Sequence, residues 1–189
     1  MKKSSIKRLA VSAIFIALAA VLSFVKIWQN PWGGSITLLS MVPIVLISAL
    51  FGVRWGVFSS FVYALVQIAL DVTGMMSWGM DARMWAGGII FDYLIAYTAI
   101  GLAGVFRNKG SFGLCAGTVF ALVVRFISHA ISGCIFFDVW MPETFDNVFI
   151  YTVVYNGTYM LPEIIFTAIA IFILYKTNTI KRISEIVNR

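Results

Sequence analysis

The residues of this chain that could do chemistry are few, and they stand inside otherwise apolar runs. Asp92 lies in the run 84–106, Arg125 and His129 in the run 111–137, and Tyr151, Asn156 and Glu163 in the run 148–175. An ionisable side chain within an apolar run is costly to place in hydrocarbon and commonly marks a ligand or ion path. If each run is a helix, Asp92 lies about 12 Å inside the end near Met84, and His129 about 12 Å inside the end near Phe137. Tyr151 and Asn156 then lie roughly 5–12 Å in from Val148. Three helices thereby bring a carboxylate, an imidazole, a phenol and an amide to one level. A pocket with an acid, aromatic faces and amide or hydroxyl donors suits a flat heteroaromatic cation. The carboxylate balances the charge, rings stack or make cation–π contacts, and the amide reads ring nitrogens.

Each of these residues has a plainer reading beside the functional one. Asp92 and Arg125 could form a purely structural ion pair. His129 shares a helix face with Arg125, and a lone histidine is more often a satisfied interior group than a ligand. Tyr93, Tyr97, Tyr155 and Tyr159 would serve as helix-packing or interface aromatics. Glu163, beside Pro162, is placed to bond backbone groups that a proline kink sets free. Function is the stronger reading for Asp92 and His129 because they converge with the others at one depth.

The elements that must hold such a cluster follow from composition. Of 189 residues, 61% are hydrophobic and 12% charged, against about 45–50% and about 25% in a soluble domain. That excess calls for an apolar solvent, so the expected fold is an all-α integral membrane protein: a bundle of six transmembrane helices in a single membrane domain, 1–189. The spans expected are about 7–27, 36–53, 55–71, 84–106, 111–137 and 148–176. Pro43 lies in the second and Pro162 in the sixth, each a site for a kink or a helix start. The charged start, Met1 to Arg8, resembles the head of a signal peptide, but a retained first helix explains the run that follows better.

The formal charge of +6 carries orientation rather than nucleic-acid binding. Lys2, Lys3, Lys7, Arg8, Arg54, Arg107, Lys109, Lys176, Lys181, Arg182 and Arg189 fall on one side of the six-span arrangement, and Lys26 and Arg83 on the other. Lys and Arg concentrate on the cytoplasmic side, so both termini are expected in the cytoplasm and the polar cluster in the outer half, as an outward-facing pocket. The turns on that side hold Trp28, Trp32, Trp78, Trp85, Phe136, Phe137 and Trp140. Most of these read as an aromatic interface belt. The segment Gln29–Ser35 differs: polar, with Gly and Pro, it reads as a flexible lid.

Several classes are disfavoured. No Walker A pattern, Cys/His zinc cluster or nucleophile elbow occurs, and no cofactor is implied. Cys115 and Cys134 lie roughly 28 Å apart along one helix and cannot bridge. No internal repeat suggests the alternating halves of a stand-alone transporter, which favours a binding subunit that works with others. Ala13 and Ala17, four apart on the first helix, would let a partner helix approach closely, although packing within the chain is an equal reading of that spacing.

The sequence resembles, over nearly its whole length, the thiamine-specific S-components of energy-coupling factor (ECF) transporters. The resemblance rests on Gly34–Leu38 with Met41–Ile44, on Asp92–Ala96 through Ile100–Gly104, on Arg125 through His129 to Gly133, and on Tyr151–Tyr159. It implies a thiamine site of Asp92, Tyr93, His129, Tyr151 and Asn156, with Trp32 on the lid and Phe137 as a stacking ring. Asp92 stands where some members carry Glu, and Phe137 where the family can carry Trp. The resemblance implies that Ala13 and Ala17 dock a membrane coupling protein, itself joined to two cytoplasmic ATPases. The competing readings are an S-component for another vitamin or heteroaromatic precursor, and an intramembrane enzyme with His129 as base.

Overall fold

The computed structural model describes residues 3–188 except Trp32. Helix α1 spans Lys3–Ser23, and an antiparallel ribbon of β1 (Lys26–Gln29) and β2 (Ser35–Thr37) follows it. Then come α2 (Val42–Phe51), α3 (Val53–Met76) and α4 (Ala82–Gly87). Helix α4 runs on through a π-helical stretch (Gly88–Ile95), α5 (Ala96–Ala99) and a 3₁₀ stretch (Ile100–Lys109). Helix α6 (Gly110–Phe136), a 3₁₀ turn (Asp138–Trp140), α7 (Val148–Lys176) and α8 (Thr179–Asn188) complete the chain.

Among the described residues, four helical segments are long and apolar enough to cross a membrane: Ser5–Ser23, Val53–Met76, Ala82–Phe136 and Val148–Lys176. The third, 55 residues long, exceeds any single crossing, which takes about 20 residues. It breaks at Phe106 (φ −110°, ψ 17°) and Gly110 (φ 74°). Helix α6 folds back there and packs along the 3₁₀ and π stretches.

The second expected span, 36–53, takes a different form. Residues 35–37 are strand, and the helix begins only at Val42, with Pro43 in its first turn. Proline is suited to that position because its missing N–H would have no helical partner there. Helix α2 is about 15 Å long, and Val42–Ser48 are all buried. A helix that is apolar on every side is a core element, and the rest of the bundle surrounds α2. Helix α3 starts at Val53 and continues past Asp71 to Met76. An acid near a helix end that lines a cavity does not terminate the helix. The ribbon also modifies the all-helical expectation.

The bundle closes through small residues. A Cβ on Gly101 would lie 2.4 Å from the Val57 backbone, and one on Gly117 2.2 Å from the Ala103 carbonyl. Ser48 Oγ donates to the Gly101 carbonyl (2.6 Å) and accepts from the Gly104 amide (3.0 Å). It thus gives further hydrogen bonds to two backbone groups of the 3₁₀ stretch where no water can serve them. Around this contact Ile44, Ile47, Tyr63, Ile100, Leu122 and Met160 form the buried core.

Gly101→Val should therefore separate α3 from the 3₁₀ stretch and destabilise the protein by about 1–3 kcal/mol, the usual range for overpacking. Gly74→Ala, where nothing lies within 4 Å of the new atom, should not destabilise it. Thermal unfolding of both variants in detergent tests the contrast.

Candidate functional site

A cavity of about 560 Å³ opens between the ribbon, α3, the π stretch, α6 and α7, within the range of about 300–1,000 Å³ common for small-molecule sites. Asp92, Tyr93, His129, Phe137, Tyr151 and Asn156 all line it. Trp32 lies outside the described residues.

Asp92 sits in the π-helical stretch. The wider turn is a local departure from α geometry of a kind frequent at functional sites. The Phe91 carbonyl accepts from Ser128 Oγ (2.6 Å), tying this stretch to α6. Asp92 Oδ1 lies 2.8 Å from His129 Nδ1, and Oδ2 accepts from Ser132 Oγ at 2.6 Å. Gly87 and Gly88 allow the close approach of the two elements. A Cβ on Gly87 would strike the Phe136 ring at 2.3 Å, and one on Gly88 would lie 3.6 Å from Phe137. His129 and Ser132 are nearly buried, whereas the Asp92 side chain remains 24% exposed. A carboxylate supported on both oxygens and still open to a cavity is arranged to meet a cation.

Arg125 does not pair with Asp92. Its guanidinium lies over the Tyr97 ring, 4.1 Å from the centroid, with Nε directed at His129 Nε2 (3.3 Å) and Nη1 at Met41 Sδ (3.5 Å). The structural ion-pair reading fails because His129, one turn further along α6, stands between the two charges.

Several aromatic side chains line the cavity. Phe137 stacks on Trp140 (centroids 5.0 Å), and Trp140 meets Trp78 edge-on (6.5 Å). Trp78 and Trp140 thus line the cavity instead of a lipid interface, while Trp28 is exposed in keeping with a belt position. On α7 Tyr151 packs against Tyr155, 5.7 Å between centroids. Tyr159 donates to Asn156 Oδ1 (2.7 Å), and Asn156 Nδ2 donates to the Thr152 carbonyl (2.9 Å). One N–H and one lone pair of the Asn156 amide are then unused by these two bonds.

Tyr93 donates to Asp71 Oδ2 (3.1 Å), and Gln67 donates to Tyr63 (2.5 Å). Gln67 and Asp71 both line the cavity, yet the sequence reading assigned neither to the site. Their spacing of one helical turn on α3 was the available signal.

The ribbon is docked onto α7. Asn30 donates to Thr158 Oγ1 (2.9 Å), and the Tyr155 hydroxyl to the Gly33 carbonyl (3.1 Å). Gly34, at φ 76°, lies against the Tyr159 ring, where any Cβ would overlap it at 2.4 Å. Glu163 Oε1 accepts from both the amide and the hydroxyl of Thr37 in β2. Glu163 therefore serves the ribbon and not the backbone near Pro162.

Comparison with known proteins agrees with this architecture. Residues 9–183 match the family model described as "Thiamine transporter protein (Thia_YuaJ)". The chain is 33% identical over 184 residues to the thiamine transporter ThiT of Bacillus subtilis (strain 168), covering 90% of this chain and 91% of that protein. Its fold is similar to a solved structure of ThiT from Listeria monocytogenes, with a TM-score of 0.73 at 23% identity over 91% of this chain and 94% of the other.

Because Glu163 is the acceptor for a buried strand amide, Glu163→Ala should leave the Thr37 N–H unserved, at a cost of about 1–3 kcal/mol. Hydrogen exchange at residues 35–38 should accelerate while α3 and α6 stay protected. Unchanged exchange in the ribbon would show that the tip contacts to α7 hold it alone.

Proposed function

The chain belongs to the thiamine transporter family, and from that premise we propose that it captures extracellular thiamine in the cavity beside Asp92 and passes it on as the binding subunit of an importer. The observation that carries this reading is a partly exposed carboxylate, braced by His129 and Ser132, in a cavity with aromatic walls. Thiamine joins a cationic thiazolium to an aminopyrimidine. Asp92 balances the positive charge. Phe137 and Tyr151 offer ring faces, and the unused N–H and lone pair of Asn156 fit the donor and acceptor pattern of an aminopyrimidine. Tyr93 is held by Asp71 at the same wall, and Trp32, which lies outside the described residues, is proposed as a further ring against the ligand. The protein acts as a binder and not as an enzyme, and thiamine is its cargo, with no cofactor.

The arrangement in the membrane is part of the same proposal. The broken 55-residue segment contributes two crossings. Helix α2 and the ribbon together fill one more, giving six with both termini in the cytoplasm, as the Lys and Arg distribution requires. The cavity then opens outward.

Helix α1 is the docking face for the ECF membrane coupling protein, which joins this subunit to two cytoplasmic ATPases. Only 11% of its apolar window is buried within the chain, and Ala10, Ala13 and Ala17 are all exposed. Small residues on a face that no other helix of the chain covers are suited to the close approach of a separate membrane helix.

Two experiments test these points. Asp92→Asn should remain folded yet bind thiamine about tenfold to a hundredfold more weakly, since a contact to a charged group contributes about 1.5–3 kcal/mol. Titration of the purified variant and the parent against thiamine, its phosphates and its pyrimidine precursor measures this, and equal thiamine affinity would remove Asp92 from the site. Ala13→Trp or Ala17→Trp should leave thiamine affinity nearly intact while abolishing co-purification with the coupling protein. Lost affinity with retained assembly would overturn the docking assignment.

A further inference from the structure

The structure assigns to Arg125 a positioning role at the cation site: it holds His129 in the tautomer that donates to Asp92, so that the carboxylate meets the ligand braced by two neutral donors. The inference rests on the thiamine reading for the ligand, but its central claim concerns the empty protein.

A buried guanidinium ordinarily faces a carboxylate. Arg125 is 5% exposed, and among the described residues no carboxylate lies within ion-pair distance of it. Arg125 instead directs Nε at His129 Nε2, 3.3 Å away. A guanidinium carries donors and no acceptor, and a neutral imidazole carries one of each. Nε2 must therefore be the acceptor, and the ring proton sits on Nδ1. That nitrogen lies 2.8 Å from Asp92 Oδ1, so it donates to the carboxylate, while Ser132 Oγ donates to Oδ2 at 2.6 Å. The opposite tautomer would set the Nε2 N–H against the guanidinium N–H and the Nδ1 lone pair against the carboxylate, two repulsive contacts in place of two hydrogen bonds.

The surroundings of His129 supply no competing charge. Its own helix contributes Arg125, the π stretch contributes Asp92, and α7 contributes the uncharged Tyr159 ring at 6.0 Å. Helix α2 reaches the group only through the residue before it, Met41, whose sulfur meets Arg125. Tyr97 fixes the guanidinium from its other side, 4.1 Å to the ring centroid. The imidazole thus stands between the guanidinium and the carboxylate; all three border the cavity, with Arg125 5% exposed and the Asp92 side chain 24% exposed. A cationic ligand meets the carboxylate end of that series.

The test uses the fact that the chain has one histidine, so selective 15N labelling of histidine gives the signals of a single imidazole in the purified protein. Without ligand, the parent should show a protonated Nδ1 and an unprotonated Nε2. Arg125→Lys, which keeps a cationic donor, should retain that pattern. Arg125→Met should lose it, giving mixed or Nε2-protonated ring signals, and should bind thiamine about tenfold to a hundredfold more weakly. A parent protein with its proton on Nε2 overturns the proposal. So does persistence of the Nδ1 tautomer in Arg125→Met, whatever its affinity. Should Arg125→Met fail to fold, the parent and Arg125→Lys spectra still decide the matter. A parent with the stated tautomer that binds no thiamine would instead overturn the ligand assignment and leave the role of Arg125 standing.

Discussion

Hydrocarbon offers no hydrogen-bond partner, so polar groups inside this bundle are best served from within the chain, and among the described residues only four buried hydroxyls, of Ser60, Thr98, Thr152 and Thr167, lack such a partner. That constraint shapes the molecule at each level. Ser48 serves two backbone groups at once at the crossing with the 3₁₀ stretch. Glu163 serves an amide and a hydroxyl of the ribbon. Around the cavity, Asp92, Ser132, His129 and Arg125 form one connected chain of contacts, closed by the Tyr97 ring. Taken singly each of these side chains is a liability in an apolar medium. Linked, they form a rigid wall with one open acceptor.

The same constraint explains why irregular backbone collects at the site. A π-helical stretch, a 3₁₀ stretch and a short ribbon all expose backbone groups that an uninterrupted α-helix would satisfy internally. They occur where neighbouring side chains can serve those groups: Ser128 on Phe91, Ser48 on Gly101 and Gly104, Glu163 on Thr37. The irregularity in turn aims the site. The π stretch carries Asp92 at the wall facing α6, and the ribbon, anchored on α7, brings Gly33 and Gly34 to the cavity lining.

The two faces of the protein use small residues in opposite ways. Inside, Gly56, Gly101, Gly104 and Gly117 draw helices of the same chain together, with almost no space left for a Cβ. Outside, Ala10, Ala13 and Ala17 lie on a face of α1 that the described residues leave exposed. Spacing alone does not tell these cases apart, because small residues four apart suit an internal crossing and an external one equally.

Much of this was legible from the sequence, for a physical reason: apolar runs and charge placement are local properties of the chain. The membrane class, the helical runs around Asp92, His129 and Asn156, and their convergence at one depth follow from counting residues at a fixed rise. The resemblance to thiamine S-components added the family. Tertiary structure alone decided what each polar group touches. Nothing in the spacing of Arg125 and His129 shows that the arginine faces the imidazole and not Asp92, because an i, i+4 pair shares a face without fixing side-chain direction. Likewise Pro43 marked a helix start, but residues 35–37 became strand because Glu163, 126 residues further along the chain, offers their amide an acceptor. Gln67 and Asp71 became cavity residues only through the packing of α3 against the π stretch. Local periodicity records which face of an element is apolar; it does not record which other element meets that face.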